Sequence, residues 1–190
     1  MKQGRKRDPK AKRDATHRAA LALFAAQGFD AVSMADVARK AGVAVGTLYR
    51  LYPSKTALLA ALHHDLESTF VDRMRRAWLE ARGAERMDAV MSALFDMFEE
   101  RAHELAILSM TTDVRFPDGS LSGDLIRRQI ASFLREGMGD GTFRPGPARL
   151  HADLAHGMVE GAMRAFLRGT VGRETAEGEA KALLRRAFVL

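Results

Sequence analysis

Thr47, Tyr49, Arg50 and Lys55 fall within nine residues, and Tyr52, the chain's second and last tyrosine, lies among them. Hydroxyl, guanidinium and ammonium groups are the donors that hold phosphate oxygens, and a guanidinium can also read a base edge. Helical spacing turns Tyr49 and Arg50 outward together. Lys55 falls in the first turn of a helix capped by Ser54, where free N–H groups favour a phosphate. Tyr52 follows Leu48 by four residues, so it shares the inward side with that anchor and is expected in the core. The two tyrosines are therefore expected to have different jobs.

These side chains need two helices to present them. Ser33-Met34-Ala35-Asp36 fits a capping box, so a helix starts at Ser33 and runs to Ala41-Gly42. A third helix starts near Ala44 and ends at Tyr52, because Pro53 pushes the residue before it out of the helical region. A helix, a glycine turn and a short second helix make helix-turn-helix spacing, in which the second helix enters the DNA major groove. Ala44, Val45, Gly46 and Thr47 are small, and Gly46 permits close approach to a duplex. A preceding helix spans about Asp14 to Gln27.

Charge supports a polyanionic partner. The 190 residues carry a net +6. Residues 1–18 hold eight Lys or Arg against Asp8 and Asp14, which is already +6, so the other 172 residues sum to zero. Arg5 and Arg7 belong to this arm, directly ahead of the tyrosine stretch, and a basic arm commonly binds nucleic acid. The absence of cysteine excludes disulfides and thiolate chemistry. No apolar run is long enough for a membrane span, and no secretory signal is present, so the expectation is a soluble cytoplasmic protein without membrane partners. No nucleophile elbow, phosphate-cradling loop or carboxylate pair at a productive spacing appears, so neither an enzyme nor a cofactor is expected. His63-His64-Asp65 and the pair His151 and His156 lack the spacing of helical metal ligands.

The fold class expected is all-α, with about nine helices. They are a long fourth helix from Ser54 to Arg82, then helices near 85–102, 104–110, 120–136, 148–168 and 174–189, with a Gly- and Pro-rich loop at 137–147. The division expected is a flexible basic arm (1–12), a DNA-binding unit (13–58) and an effector and dimerisation unit (59–190).

The stretch ALALFAAQGFDAVSMADVARKAGVAVGTLYRLYPSKTALLAAL, within Thr16 to Leu62, resembles the DNA-binding domain of the TetR family of bacterial transcriptional regulators. The order and spacing of LFAAQGF, SMADVA, AGV, GTLY and YPSK carry the resemblance. It implies a homodimeric repressor with a palindromic double-stranded operator and a small-molecule effector in its C-terminal helices. It implies phosphate contacts from Ser33, Thr47, Tyr49 and Lys55, and base-facing Ala44, Val45, Gly46 and Arg50. The chain departs from the common pattern at Ala44-Val45, where polar residues such as Ser-Lys are frequent, and at Leu51, where His is. Base reading would then lean on Ala44 and Val45 against thymine methyls and on Arg50 against guanine.

A dimer seam is expected on the last two helices, by resemblance as much as by pattern. Gly157, Gly161 and Ala165 recur every four residues beside Leu154 and Met158, and Leu183, Leu184 and Ala187 join them. Effector candidates are the apolar Trp78, Met91, Phe95, Phe98, Met110, Phe116, Phe133 and Met163. The polar candidates are His103, Arg115, Gln129, His156 and Glu160. The rival readings are a sequence-blind, nucleoid-type DNA binder resting on the arm, and a metal sensor.

Overall fold

The structure, a computed structural model, describes residues 8–109 and 123–190. Among the described residues the chain is helical, with nine helices and no strand beyond one antiparallel bridge between Phe143 and Val189. Arg5, Arg7, Met110, Arg115 and Phe116 lie outside the described residues.

Helix α1 (Pro9–Gln27) begins earlier than the sequence suggests. Asp8 accepts the Lys10 backbone N–H at 3.1 Å, and Pro9 at the first helical position has no N–H of its own to satisfy. Residues 9–12, read as flexible arm, are therefore helical.

Helix α2 (Met34–Ala41) starts on the expected capping box. The Ser33 hydroxyl oxygen accepts the Asp36 N–H at 3.1 Å, and Asp36 accepts the Ser33 N–H at 3.2 Å. Val37 and Ala38 are fully buried. Gly42 takes φ +66°, ψ +38°, a left-handed cap that a Cβ would strain, and the chain turns there into α3 (Val45–Leu51). Leu48 anchors α3 in the core, and Tyr52 ends it in extended conformation ahead of Pro53.

Helix α4 (Lys55–Glu80) is capped by Ser54, whose hydroxyl accepts the Ala57 N–H at 3.0 Å. Its 26 residues span about 39 Å. One inner face carries Leu58, Leu59, Leu62, Leu66, Phe70, Met74 and Trp78, all buried. The expected unit boundary at 58/59 thus falls inside this helix, between two leucines with at most 1% exposure. One contiguous apolar core runs from Ala19 to Phe188.

Helices α5 (Glu85–Glu100), α6 (Ala102–Ser109), α7 (Asp124–Gly139), α8 (Ala148–Leu167) and α9 (Arg173–Phe188) complete the fold. Helix α4 packs on α5 and α7, α7 on α8, and α9 on both α5 and α8. Ion pairs lace α5 to α9: Arg185 Nε sits 2.9 and 3.0 Å from the Asp88 oxygens, and Arg173 pairs with Asp96 and Glu99.

Helix α7 runs to Gly139, past the Gly137 at which the sequence suggests a loop. A Cβ at Gly137 would stand 2.3 Å from Phe143 Cδ2, so the glycine admits a ring rather than breaking the helix. The loop after α7 is then pinned to the C-terminus. The Arg144 N–H donates to the Phe188 carbonyl at 2.8 Å and the Leu190 N–H to the Thr142 carbonyl at 3.2 Å.

Candidate functional site

The outward face of α3 is built on one buried residue. Leu48 is fully enclosed, while Ala44, Val45, Gly46, Tyr49 and Arg50 are exposed, Val45 at 43% and Tyr49 at 49%. Positions 45, 46, 49 and 50 share one side of a 3.6-residue helix. Among the described residues a Cβ at Gly46 would meet nothing within 4 Å, so the helix is open at that point. Thr47, half-buried, accepts from the Arg50 guanidinium at 3.3 Å, which steadies Arg50 while leaving most of its donors outward.

Ser33 is exposed at the start of α2, but its hydroxyl hydrogen goes to Asp36, so its outward-facing capacity is as an acceptor. The bonds from Ser33 hold the Asp36 carboxyl below the usual carboxylate range, and Arg39 adds to them.

Lys55 is placed differently from the sequence reading. Its ammonium donates to the carbonyls of Phe29 at 2.7 Å, Asp30 at 3.1 Å and Val32 at 3.0 Å, and it lies 4.4 Å from the centre of the Phe29 ring. An ammonium has three donors. All three are engaged, so Lys55 ties α4 to the α1–α2 loop instead of facing a phosphate.

Tyr52 is buried, as its spacing with Leu48 suggests. Its hydroxyl lies 2.7 Å from His17 Nε2, and His17 Nδ1 lies 2.9 Å from Asp65 on α4. Burial lowers the His17 pKa against the pull of Asp65, and burial raises that of Tyr52. His17 does not stand out in the sequence, and Asp65 does so only beside His63 and His64, not as a partner of His17. The one available signal was a buried phenol, which needs a partner.

A narrow apolar cavity of about 50 Å³ lies between α4, α5, α7, α8 and α9. Trp78, Met91 and Phe133 line it, as does Met74. Phe95 and Phe98 are buried in the core but stand back from it, Phe98 against Phe70 at 5.6 Å. Met163 is half-buried and also outside it. His156 sits beside Gly123, 4.0 Å from Glu160, with its pKa lowered by burial. Sequence reasoning missed Phe143 and Phe188 as lining residues of the cavity. The Trp78 ring stacks on Phe133 at 4.4 Å, its indole N–H donates to Glu136 at 3.0 Å, and the Arg86 guanidinium lies over the ring, 4.9 Å from its centre.

On α8, Leu154 is 51% exposed, and Gly157, Met158 and Gly161 continue the same exposed stripe. A Cβ at Gly157 or Gly161 would meet nothing within 4 Å. Leu183 and Ala187 of α9 are exposed as well, and Ala165 is half-buried. Leu184, grouped with them from the sequence, is 3% exposed and lines the cavity. One residue of helical rotation, about 100°, separates it from Leu183 and turns it into the chain's own core.

Among the described residues no helix is long and apolar enough to cross a membrane. Residues 18–62 match the family described as bacterial regulatory proteins, tetR family. The chain is 32% identical over 126 residues to the HTH-type transcriptional repressor KstR of Mycolicibacterium smegmatis, covering 65% of this chain and 61% of that one. It is 35% identical over 108 residues to KstR of Rhodococcus jostii, covering 56% of this chain and 49% of that one. The matched stretches thus span about half to three fifths of those relatives' lengths. In fold it is similar to the transcriptional regulator FadR from Bacillus subtilis in complex with stearoyl-CoA. There the TM-score is 0.76 at 19% identity, over 90% of this chain and 96% of that one.

Proposed function

We propose that this chain, which belongs to the tetR family of bacterial regulatory proteins, is a sequence-specific DNA-binding repressor that a small-molecule ligand with a long apolar part releases from its operator. The observation that carries the DNA reading is the bare outer face of α3, with Val45, Gly46, Tyr49 and Arg50 exposed over the buried Leu48. Tyr49 and Thr47 hold phosphates, Arg50 reads a base edge, and Ala44 and Val45 contact thymine methyls. One seven-residue helix covers few base pairs, so two copies read a two-fold symmetric site. The exposed Leu154, Met158 and Leu183, with Gly157 and Gly161 between them, support a dimer seam on α8 and α9.

The effector reading rests on the cavity beside Trp78 and Phe133, whose lining is apolar throughout. At about 50 Å³ it is far smaller than the roughly 300–1,000 Å³ of drug-sized ligand sites, so a ligand must push its walls apart. Met74 and Trp78 put one wall on α4, the helix that also carries the DNA-reading unit. A ligand that binds the expanded state better than the DNA-bound state therefore shifts α3 off the duplex. The stearoyl-CoA held by the FadR of similar fold supports a ligand with a long apolar part.

Fluorescence anisotropy on duplexes from upstream of the chain's own gene, against a scrambled duplex, tests the DNA reading. The expected result is binding that survives moderate salt on the first and not on the second. Equal binding to both, lost together as salt rises, would instead describe a sequence-blind binder. Trp78, the chain's only tryptophan, reports on the cavity. Titration with a long-chain acyl-CoA should change its emission and lower DNA affinity together, and a change in neither would refute this ligand class.

A further inference from the structure

We propose that His17 and Asp65 are positioning residues for DNA reading: through the Tyr52 hydroxyl they fix the angle between α3 and α4, and so the spacing between half-sites that the protein accepts. The inference rests on the DNA-binding reading above.

Helix α3 has seven residues and packs chiefly on α2. Its apolar anchor, Leu48, is buried but holds no direction, since apolar packing is non-directional. Two polar clamps tie the α1–α3 unit to α4. At the start of α4, the Lys55 ammonium holds three carbonyls of the α1–α2 loop. Ten residues on, about 15 Å along the helix, Asp65 holds His17 of α1. Two attachments that far apart on one helix define its direction relative to the unit they grip.

The second clamp continues to the recognition helix. With a carboxylate at Nδ1, that nitrogen carries the imidazole hydrogen and donates to Asp65 at 2.9 Å. Nε2 then accepts the Tyr52 hydroxyl at 2.7 Å. Tyr52 is the residue on which α3 ends, so the chain of bonds reaches from α4 through α1 to the exit of α3. Arg13 Nη2 stands 4.0 Å from the other Asp65 oxygen, which steadies the carboxylate. A phenylalanine at position 52 would fill the same space without this directional bond.

In a symmetric dimer, any play in this angle appears on both recognition helices. Adding one base pair between half-sites moves one of them by about 3.4 Å and about a tenth of a turn. A stiff unit rejects that change and a loose one tolerates it.

The test starts from duplexes that the wild-type protein enriches from a randomised library. Affinity is then measured on the enriched duplex and on versions with one base pair inserted or removed at its centre. Wild type is expected to prefer the original by about tenfold or more. Tyr52→Phe and Asp65→Ala are expected to bind the original nearly as well but to discriminate less than about threefold. Asp65→Asn, whose amide oxygen still accepts from Nδ1, is expected to restore discrimination. Asp65 is half exposed, so its replacement keeps the test open should Tyr52→Phe fold poorly. If folded Asp65→Ala keeps the wild-type spacing preference, the inference is overturned while the DNA reading stands. If wild type enriches no sequence, the DNA reading falls and takes the inference with it.

Discussion

Removing the hydroxyl of Tyr49 takes one donor from a ring that is 49% exposed. Tyr49→Phe should therefore leave folding unchanged and weaken binding to specific and scrambled duplexes alike. Arg50→Ala should cost about 1–3 kcal/mol at a single base pair and relax preference only there. A base-by-base affinity scan of both variants separates the two roles, and equal losses on all sequences for Arg50→Ala would remove its base reading. Burial makes a second residue-scale prediction. His63 is 5% exposed, and burial pushes its pKa down to about 4 from 6.5. Between those values the unfolded chain takes up a proton that the folded chain refuses. Stability is thus complete above pH 6.5 and falls as pH drops toward 4, at up to about 1.4 kcal/mol per pH unit from this group. His17 and His156 shift the same way. Urea midpoints at pH 7.5 and 5 would check this, and a flat profile would contradict it. Tyr49, Arg50 and Tyr52 were legible in the sequence because helical spacing alone assigns them sides. Lys55 was not, because the direction of a long side chain is set by what it meets, here carbonyls 23 to 26 positions earlier.

Among the elements, the short α2–turn–α3 pair was the most legible, because its signals are local: a capping box, a left-handed glycine and a proline stop. The end of α7 was not. Gly137 and Gly139 lower helix propensity, and the sequence reading stopped the helix there, but the close approach of Phe143 to Gly137 is a long-range packing fact. Gly137→Ala should therefore destabilise the protein although alanine is the better helix former. The ring has to move, at a cost of about 1–3 kcal/mol. Denaturation monitored by Trp78 emission would show it, since Phe143 lies 5.9 Å from the indole. A stabilised variant would mean that the ring shifts freely. The start of α1 was missed for a similar reason: a basic run reads as a tail, while Asp8 and Pro9 supply a helix start within it.

At the scale of the molecule, the all-α architecture followed from spacing and punctuation, but the cavity did not. Its walls come from five helices, and an apolar stripe looks the same whether it meets a neighbour or a void. The stripe on α8 allows a direct test of assembly. Leu154→Glu with Leu183→Glu should give a folded monomer by sedimentation and circular dichroism, with DNA affinity reduced far more than stability. A double variant that remains a dimer would move the seam elsewhere. Helix α4 has one more consequence. Leu58 and Leu59 serve the same continuous core as Trp78 twenty residues on, with no break between them. Reading head and cavity are therefore not interchangeable cassettes. A hybrid that joins this head to a relative's sensing half has no linker to be spliced at. Its crossover must fall within a helix whose buried face both parents share, and inheritance of new ligand responses by shuffling is confined to partners that match along that face.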